Sequence, residues 1–333
     1  MAIFGLAGGA TSPILYPAGS ANPDYQTSGF IPEIWSGKLI EKFYAATVLA
    51  AISNTDYEGE IKSFGDKVRI RTKPTITIAP YLMGGDLAIQ RPVGGEVDLQ
   101  INNGIYFQTI LDDVLEVQSD LNNMSMWSDD ASEQMKINVD RTVLQGIMGT
   151  MLAQNMGLAA GAMSGNINLG VTGTPVATVG RNPGVGQVEI LDIILRLGQV
   201  LDEQNIPETG RWVVMPTWAA TQIKRSELRQ SYLTGDSVTM LRNGRLGMVD
   251  RFTLYVSNLL PSGSGGSAGL AAGEWVVFAG HAHGLTFASQ MTNVETLRSE
   301  RTFGTLFRGL QVFGYQTLDG KALAQSVITQ GGP

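Results

Sequence analysis

His281 and His283 are the first place to look for chemistry, because the chain has no other histidine and no cysteine. Two residues apart on a strand, they would share a face and could share a metal ion. A metal site needs further ligands, and the first acid downstream is Glu295, outside any motif spacing. Loop or edge histidines are the simpler reading. A Ser-His-Asp triad would have to use one of these two. No Gly-x-Ser-x-Gly stands between a strand and a helix, and Gly263-Ser264-Gly265-Gly266 lies in low-complexity sequence. The stretch Gly180-Arg181-Asn182-Pro183-Gly184-Val185-Gly186 precedes an expected helix. It lacks the strand context of a dinucleotide fingerprint and the Lys-Ser/Thr of a P-loop, so it reads as a turn. No catalytic, cofactor-binding or metal-binding residue is assigned.

Charge is more informative. Lys67, Arg69, Arg71 and Lys73 alternate strictly, so a strand would put all four on one face. A solvated face and a cationic strip meeting an acidic partner fit equally. Acids for such a contact on a neighbouring copy are Asp112, Asp113, Glu116, Asp120, Asp129 and Asp130. Asp112 and Asp113 also suit a helix N-terminus, where carboxylates meet the positive end of the dipole. Nucleic acid is a poorer partner, since Asp56, Glu58, Glu60 and Asp66 cancel the local field.

The element that would position these charges is the stretch from Asp112 to Met156. It has no proline. Met124, Trp127, Ala131, Met135, Val139, Val143, Ile147 and Met151 recur at helical spacing and predict one long strut. Gly146 and Gly149 mark an expected bend.

Before the strut, residues 1–32 read as an extended arm rich in Gly, Ala, Ser and Pro. Glu33 to Ile52 reads as a short amphipathic helix. Residues 57–111 alternate with period two at Val68–Thr72, Thr75–Ile78 and Val97–Ile101, with turns at Gly84-Gly85 and Gly94-Gly95. A projecting hairpin is expected, confined by Pro74 and Pro80 to an edge. After the strut, residues 187–288 read as an α/β domain. Its parts are a helix at Gln187–Gln204, a strand at Trp212–Met215, a helix at Thr217–Leu228, and strands at Phe252–Val256 and Glu274–Ala279. Strands from Thr292 onward should return to pair with those before the strut.

The composition fits an unusual surface. Of 333 residues, 43% are hydrophobic but only 16% are charged, against about 25% in typical soluble domains. Such a surface suits burial by partners. A net charge of −7 argues against coating a polyanion. The first residues lack a basic n-region, and no apolar run is long enough for a membrane span.

This order of parts resembles the major capsid protein of tailed double-stranded DNA bacteriophages, with its Hong Kong 97-like fold. Local sequence is similar as well. Ser53-Asn54-Thr55-Asp56-Tyr57-Glu58-Gly59-Glu60-Ile61, with Gly65 to Thr72, resembles the entry to the family's extended loop. Asp112-Asp113-Val114 through Asp140-Arg141 resembles its spine helix. Arg211 to Pro216, and Gly247 to Phe252 with Tyr255 to Asn258, resemble the axial domain. Arg308 to Gly314 resembles the closing strands of the peripheral domain. The resemblance implies an α+β fold: arm 1–32, short helix region 33–56, extended β-hairpin loop and peripheral strands 57–111, spine helix 112–156, axial domain 157–288, and returning peripheral strands 289–333.

It also implies a non-enzymatic shell subunit without cofactors, found in the virion and assembled in the host cytoplasm. Such subunits form pentamers and hexamers around double-stranded DNA without sequence-specific binding. A separate scaffolding protein and a portal are implied partners, with decoration proteins a further option; no membrane is involved. Two other readings stay open. One is an encapsulin-like nanocompartment. The other is a metal-dependent α/β enzyme using His281 and His283.

Overall fold

A computed structural model describes residues 44–331, except 46, 58–66, 82, 87, 88, 115–122, 227–246 and 265–268. The expected arm 1–32 and most of the helix expected over 33–52 lie outside the described residues. Of that helix, only α1 (Leu49–Ile52) is helical among them, and Tyr44, Ala45, Thr47 and Val48 are not.

Strand β1 (Lys67–Arg71) and β2 (Glu96–Gln100) form an antiparallel ribbon. The segment Thr75–Ile78 joins no ladder, although it alternates. Its backbone is met instead by a side chain: Thr77 N–H donates to Gln90 Oε1 at 3.0 Å, and Gln90 Nε2 donates to Thr77 C=O at 2.6 Å.

Strand β3 (Asn103–Asp112) leads toward α2 (Asn123–Gly146). Helix α2 is the strut, and it is shorter than the 112–156 span read from the sequence. Asp112 is the last residue of a strand, and the helix stops at Gly146. Its 24 residues span about 36 Å. The chain turns where a bend was expected, with Gly149 at φ 75°. The apolar stripe still works beyond the helix: Val139, Val143, Ile147 and Met151 are all buried.

Then come β4 (Val176–Val179), β5 (Gln187–Glu189), α3 (Ile190–Glu203), β6 (Arg211–Met215) and α4 (Thr217–Arg225). The first residues of the helix expected over 187–204 are a strand, because they pair in parallel with β4. Next are β7 (Met248–Val249), β8 (Phe252–Val256) and β9 (Glu274–His281). Last are β10 (Leu285–Arg298), β11 (Gly304–Thr317) and β12 (Leu323–Gln330).

Seven strands form one sheet in the order β5-β4-β12-β9-β6-β8-β7. On one face lie α3 and α4. Ile190, Ile193, Ile194, Leu197 and Leu201 of α3 and Ala219 and Ile223 of α4 pack with Val213, Met215, Val277 and Ile328. On the other face sits the C-terminal end of the strut. There Val143, Leu144, Ile147 and Met151 meet Val214, Val276, Phe278, Leu323 and Val327. A central strand covered on both faces reads as a continuous apolar run, as in Trp212-Val213-Val214-Met215.

A second sheet has the order β10-β11-β3. Strand β11 pairs with β3 from Gly304↔Asp112 to Phe313↔Asn103, so late strands do return to one before the strut. Strand β12 does not. It lies inside the seven-stranded sheet, antiparallel to β9 and parallel to β4. The span 289–333 is therefore divided between the two sheets. Two buried polar residues of β12 are satisfied there: Ser326 Oγ donates to Leu169 C=O at 2.8 Å, and Gln325 Oε1 accepts from Gly149 N–H at 2.9 Å.

Candidate functional site

Three of the four cations of the expected strip share a face of β1, and Lys73 lies past the end of the strand. Lys67, Arg69 and Arg71 are exposed, with Val68 and Ile70 turned inward. What the sequence reading missed is that β2 supplies acids of its own. Lys67 Nζ lies 3.3 Å from Asp98, and Arg69 lies 3.6 Å from both Glu96 and Asp98. Antiparallel register sets Arg69 opposite Asp98 and Arg71 opposite Glu96. These pairs are exposed, so each contributes little to stability. Arg71 and Lys73 make no ion pair among the described residues.

Beyond Arg71 the ribbon end is apolar. Ile76, Ile78, Tyr81, Met83, Ile89 and Val93 are all exposed, Ile78 and Met83 at 93%. Exposed apolar groups in such number on one segment mark an interaction surface.

Of the six acids proposed as landing points, four are among the described residues. Glu116 and Asp120 lie outside the described residues. Asp113 is engaged by Arg298 through a two-pronged pair, with Nη1 at 2.9 Å from Oδ1. Asp130 accepts from the Tyr44 hydroxyl at 2.9 Å. Asp112 and Asp129 are exposed. Asp112 closes β3 in a ladder with Gly304, and Asp113 and Val114 directly after it are helical.

The three-stranded sheet offers a second surface. Its register aligns Leu297, Leu306 and Ile110 in one row. Glu295, Arg308 and Gln108 form the next, and Asn293, Leu310 and Tyr106 a third. Alternation puts all nine on one face. Tyr106 is 78% exposed, and Ile110, Leu297 and Leu310 are exposed too. In the middle row, Arg308 Nε donates to Glu295 Oε1 at 2.5 Å. An open cleft of about 690 Å³ lies along Tyr106 to Ile110 and Leu306. That these positions share a face is visible only in the strand pairing.

The histidines do not make a metal face. His281 ends β9, but His283 lies in the 3-10 turn Ala282–Gly284, and its N–H donates to His281 Nδ1 at 3.1 Å. Burial, the His283 charge and the Arg211 charge hold His281 below its ordinary value, against a hydrogen bond with the Thr209 backbone. Among the described residues, no three His, Asp or Glu converge as a metal site would require. The Gly180–Gly186 stretch is a turn between β4 and β5 and does not enter a helix directly.

A model of the family described as phage capsid protein matches residues 107–326. The chain belongs to the phage capsid protein family. The solved structure of Mycobacterium phage Che8 matches this capsid protein with a TM-score of 0.69 at 24% identity, covering 90% of this chain and 97% of that one. The capsid of cyanophage P-SCSP1u matches with 0.66 at 14% identity, covering 91% and 94%. The capsid of a native GTA particle matches with 0.61 at 12% identity, covering 94% and 100%. No curated protein matches the chain by sequence. The fold is thus α+β and Hong Kong 97-like, as the resemblance implied, and the capsid protein is a structural component of a virion.

Proposed function

We propose that this capsid protein is the tile of an icosahedral shell, assembling as pentamers and hexamers and enclosing double-stranded DNA. The observation that carries this reading is the ribbon end between Thr72 and Gly95. Its large apolar side chains stand in water in a lone copy. A neighbouring copy that covered them would gain the usual driving force of apolar burial. The half-apolar face of β3, β10 and β11 is a second surface of the same kind. In this reading the ribbon serves as the extended loop and α2 as the spine. The seven-stranded sheet serves as the axial domain and the three-stranded sheet as the peripheral one.

The Lys67–Lys73 strip takes part through Arg71 and Lys73, with Asp112 and Asp129 of a neighbour as acids able to meet them. Scaffolding protein, portal and decoration proteins are the partners this role brings, and assembly takes place in the host cytoplasm. A net charge of −7 suits a wall that holds DNA without gripping its phosphates.

Negative-stain microscopy of the purified chain tests the proposal. Closed shells or rings of five and six subunits are expected. A monodisperse monomer at high concentration, with or without scaffolding protein, would overturn it. Particles filled with protein and free of nuclease-protected DNA would favour a nanocompartment.

A further inference from the structure

The passage from β9 to β10 is closed by a side chain. His281, the last residue of β9, caps the 3-10 turn Ala282–Gly284, where its Nδ1 accepts the His283 N–H at 3.1 Å. With Nδ1 occupied, the hydrogen bond to the Thr209 backbone falls to Nε2. Gly210, at φ 75°, leaves room for the ring there, since a Cβ would lie 3.3 Å from Nε2. Nδ1 accepts only without a proton, so the ring is the neutral Nε2–H tautomer with both nitrogens in use. The capped turn also holds the next passage, because Leu318 N–H donates to Gly284 C=O at 2.9 Å.

The surroundings oppose a second cation. Arg211 stands opposite His281 in the β6–β9 register, so the two side chains are neighbours on one face of the sheet. The Arg211 side chain is fully buried. Its Nε and Nη2 meet the carbonyls of Pro207 and Ile206 and the Asp202 carboxylate, while Nη1 is buried without an acceptor. His283 is a further cation once protonated. Among the described residues, the carboxylates of the adjoining elements are engaged elsewhere. Asp202 is held by Arg211 and Arg251, and Glu208 and Asp250 by Arg251. Glu203 accepts the Met163 and Ser164 N–H groups. In the turn Gly320–Ala322, Asp319 accepts the Lys321 N–H, and Lys321 adds a positive charge.

We propose that His281 is an acid-operated latch on this passage. A proton taken up at Nδ1 leaves the ring two N–H donors and no lone pair, whichever way it is turned. The His283 N–H then loses its acceptor, the turn Ala282–Gly284 opens, and the bond from Leu318 to Gly284 weakens with it. Burial, with the His283 and Arg211 charges, holds the His281 pKa below the ordinary 6.5. The unfolded chain therefore takes up this proton first. The latch's stabilisation is complete above the ordinary value and is lost as pH falls toward the lowered one. The latch belongs to the single chain and does not depend on whether shells form.

Amide hydrogen exchange of the full chain, read as protection factors between about pH 8 and about pH 5, tests it across the range of histidine titration. The His283 and Leu318 amides should lose protection about tenfold as His281 titrates, the value of one hydrogen bond. The imidazole resonances report the two titrations separately. His281→Asn offers a side-chain oxygen for the turn and removes the titrating group. In it, the protection of both amides should not change with acid. His281→Phe keeps a ring without an acceptor and should raise exchange at both amides about tenfold near neutral pH, while its melting reports that the fold persists. His283→Gln should leave the acid response in place. Titration of His281 at or above 6.5 would overturn the proposal. So would protection that survives that titration, an acid response retained in His281→Asn, or one abolished in His283→Gln.

Discussion

Asp140, on the buried side of the strut, accepts the backbone N–H of Val48 at 2.6 Å across 92 residues of sequence. It also accepts from Leu49 N–H at 3.4 Å, so one carboxylate meets the start of α1. The site is dry, with Asp140 3% exposed. Burial pushes its pKa up from 3.8, against the two backbone hydrogen bonds that pull it down.

Replacing this carboxylate therefore separates two effects. Asp140→Ala leaves two N–H groups without an acceptor and should cost about 1–3 kcal/mol in chemical denaturation. Asp140→Asn keeps an acceptor and removes a buried charge, so it should cost less. The sign of the pH dependence follows from the raised value. The stabilisation that Asp140 adds by taking up a proton is present below the ordinary carboxylate range and is lost as pH rises through the raised value. The Asn variant should lack that contribution in melts across acidic pH.

Glu203 behaves in the opposite way. Burial raises its pKa, but the N–H groups of Met163 and Ser164, the Ser164 hydroxyl and the Gln199 amide outweigh it and lower the value from 4.5 to about 2. The Met163 N–H bond is 2.7 Å long. This stabilisation is present above the ordinary value and is lost as pH falls toward about 2. Glu203→Gln should flatten that acid limb, and amide exchange at Met163 and Ser164 should quicken at neutral pH.

Gly146 ends the strut beneath Tyr315. A Cβ there would stand 1.8 Å from the tyrosine hydroxyl oxygen and 2.5 Å from Cζ, so the whole ring would have to move. Gly146→Ala should destabilise the fold by about 1–3 kcal/mol, although alanine is the better helix former. A Gly146→Ala chain as stable as the original in denaturant would show that the ring has room to shift.

For assembly, Arg71 and Lys73 are the informative cations, because Lys67 and Arg69 already face Asp98 and Glu96. Reversing Arg71 and Lys73 to Glu should lower the yield of particles by microscopy while circular dichroism and melting stay unchanged. Normal particles from that double variant would leave the strip as a solvated face.

Much of this architecture was legible because periodicity reports burial directly. The stripe from Val139 to Met151 and the run Trp212–Met215 are core positions, and the alternation at Val97, Leu99 and Ile101 points inward at one sheet face. Pairing was harder to read. The alternation at Thr75–Ile78 looked equal to that at Val68–Thr72, but only the latter has a partner strand. Strand β12 was placed with the wrong sheet because Gln325 and Ser326 interrupt its apolar run. Both are buried, and both have distant partners that local sequence cannot show. The charged strip was found, but Asp98 and Glu96 lie across a hairpin register, invisible until the ribbon is paired.

The crossings between the two sheets have a mechanical consequence. The chain passes from β9 to β10 through Ala282–Gly284 and from β11 to β12 through Gly320–Ala322. These passages touch, with Leu318 N–H donating to Gly284 C=O at 2.9 Å. The third passage, after the strut, joins them. The buried Asn155 amide donates to the carbonyls of Lys321 and Leu323, each at 2.8 Å. Three strands of backbone are thus lashed at one point. A rotation of one sheet against the other would have to strain these bonds at the point where the chain crosses between them.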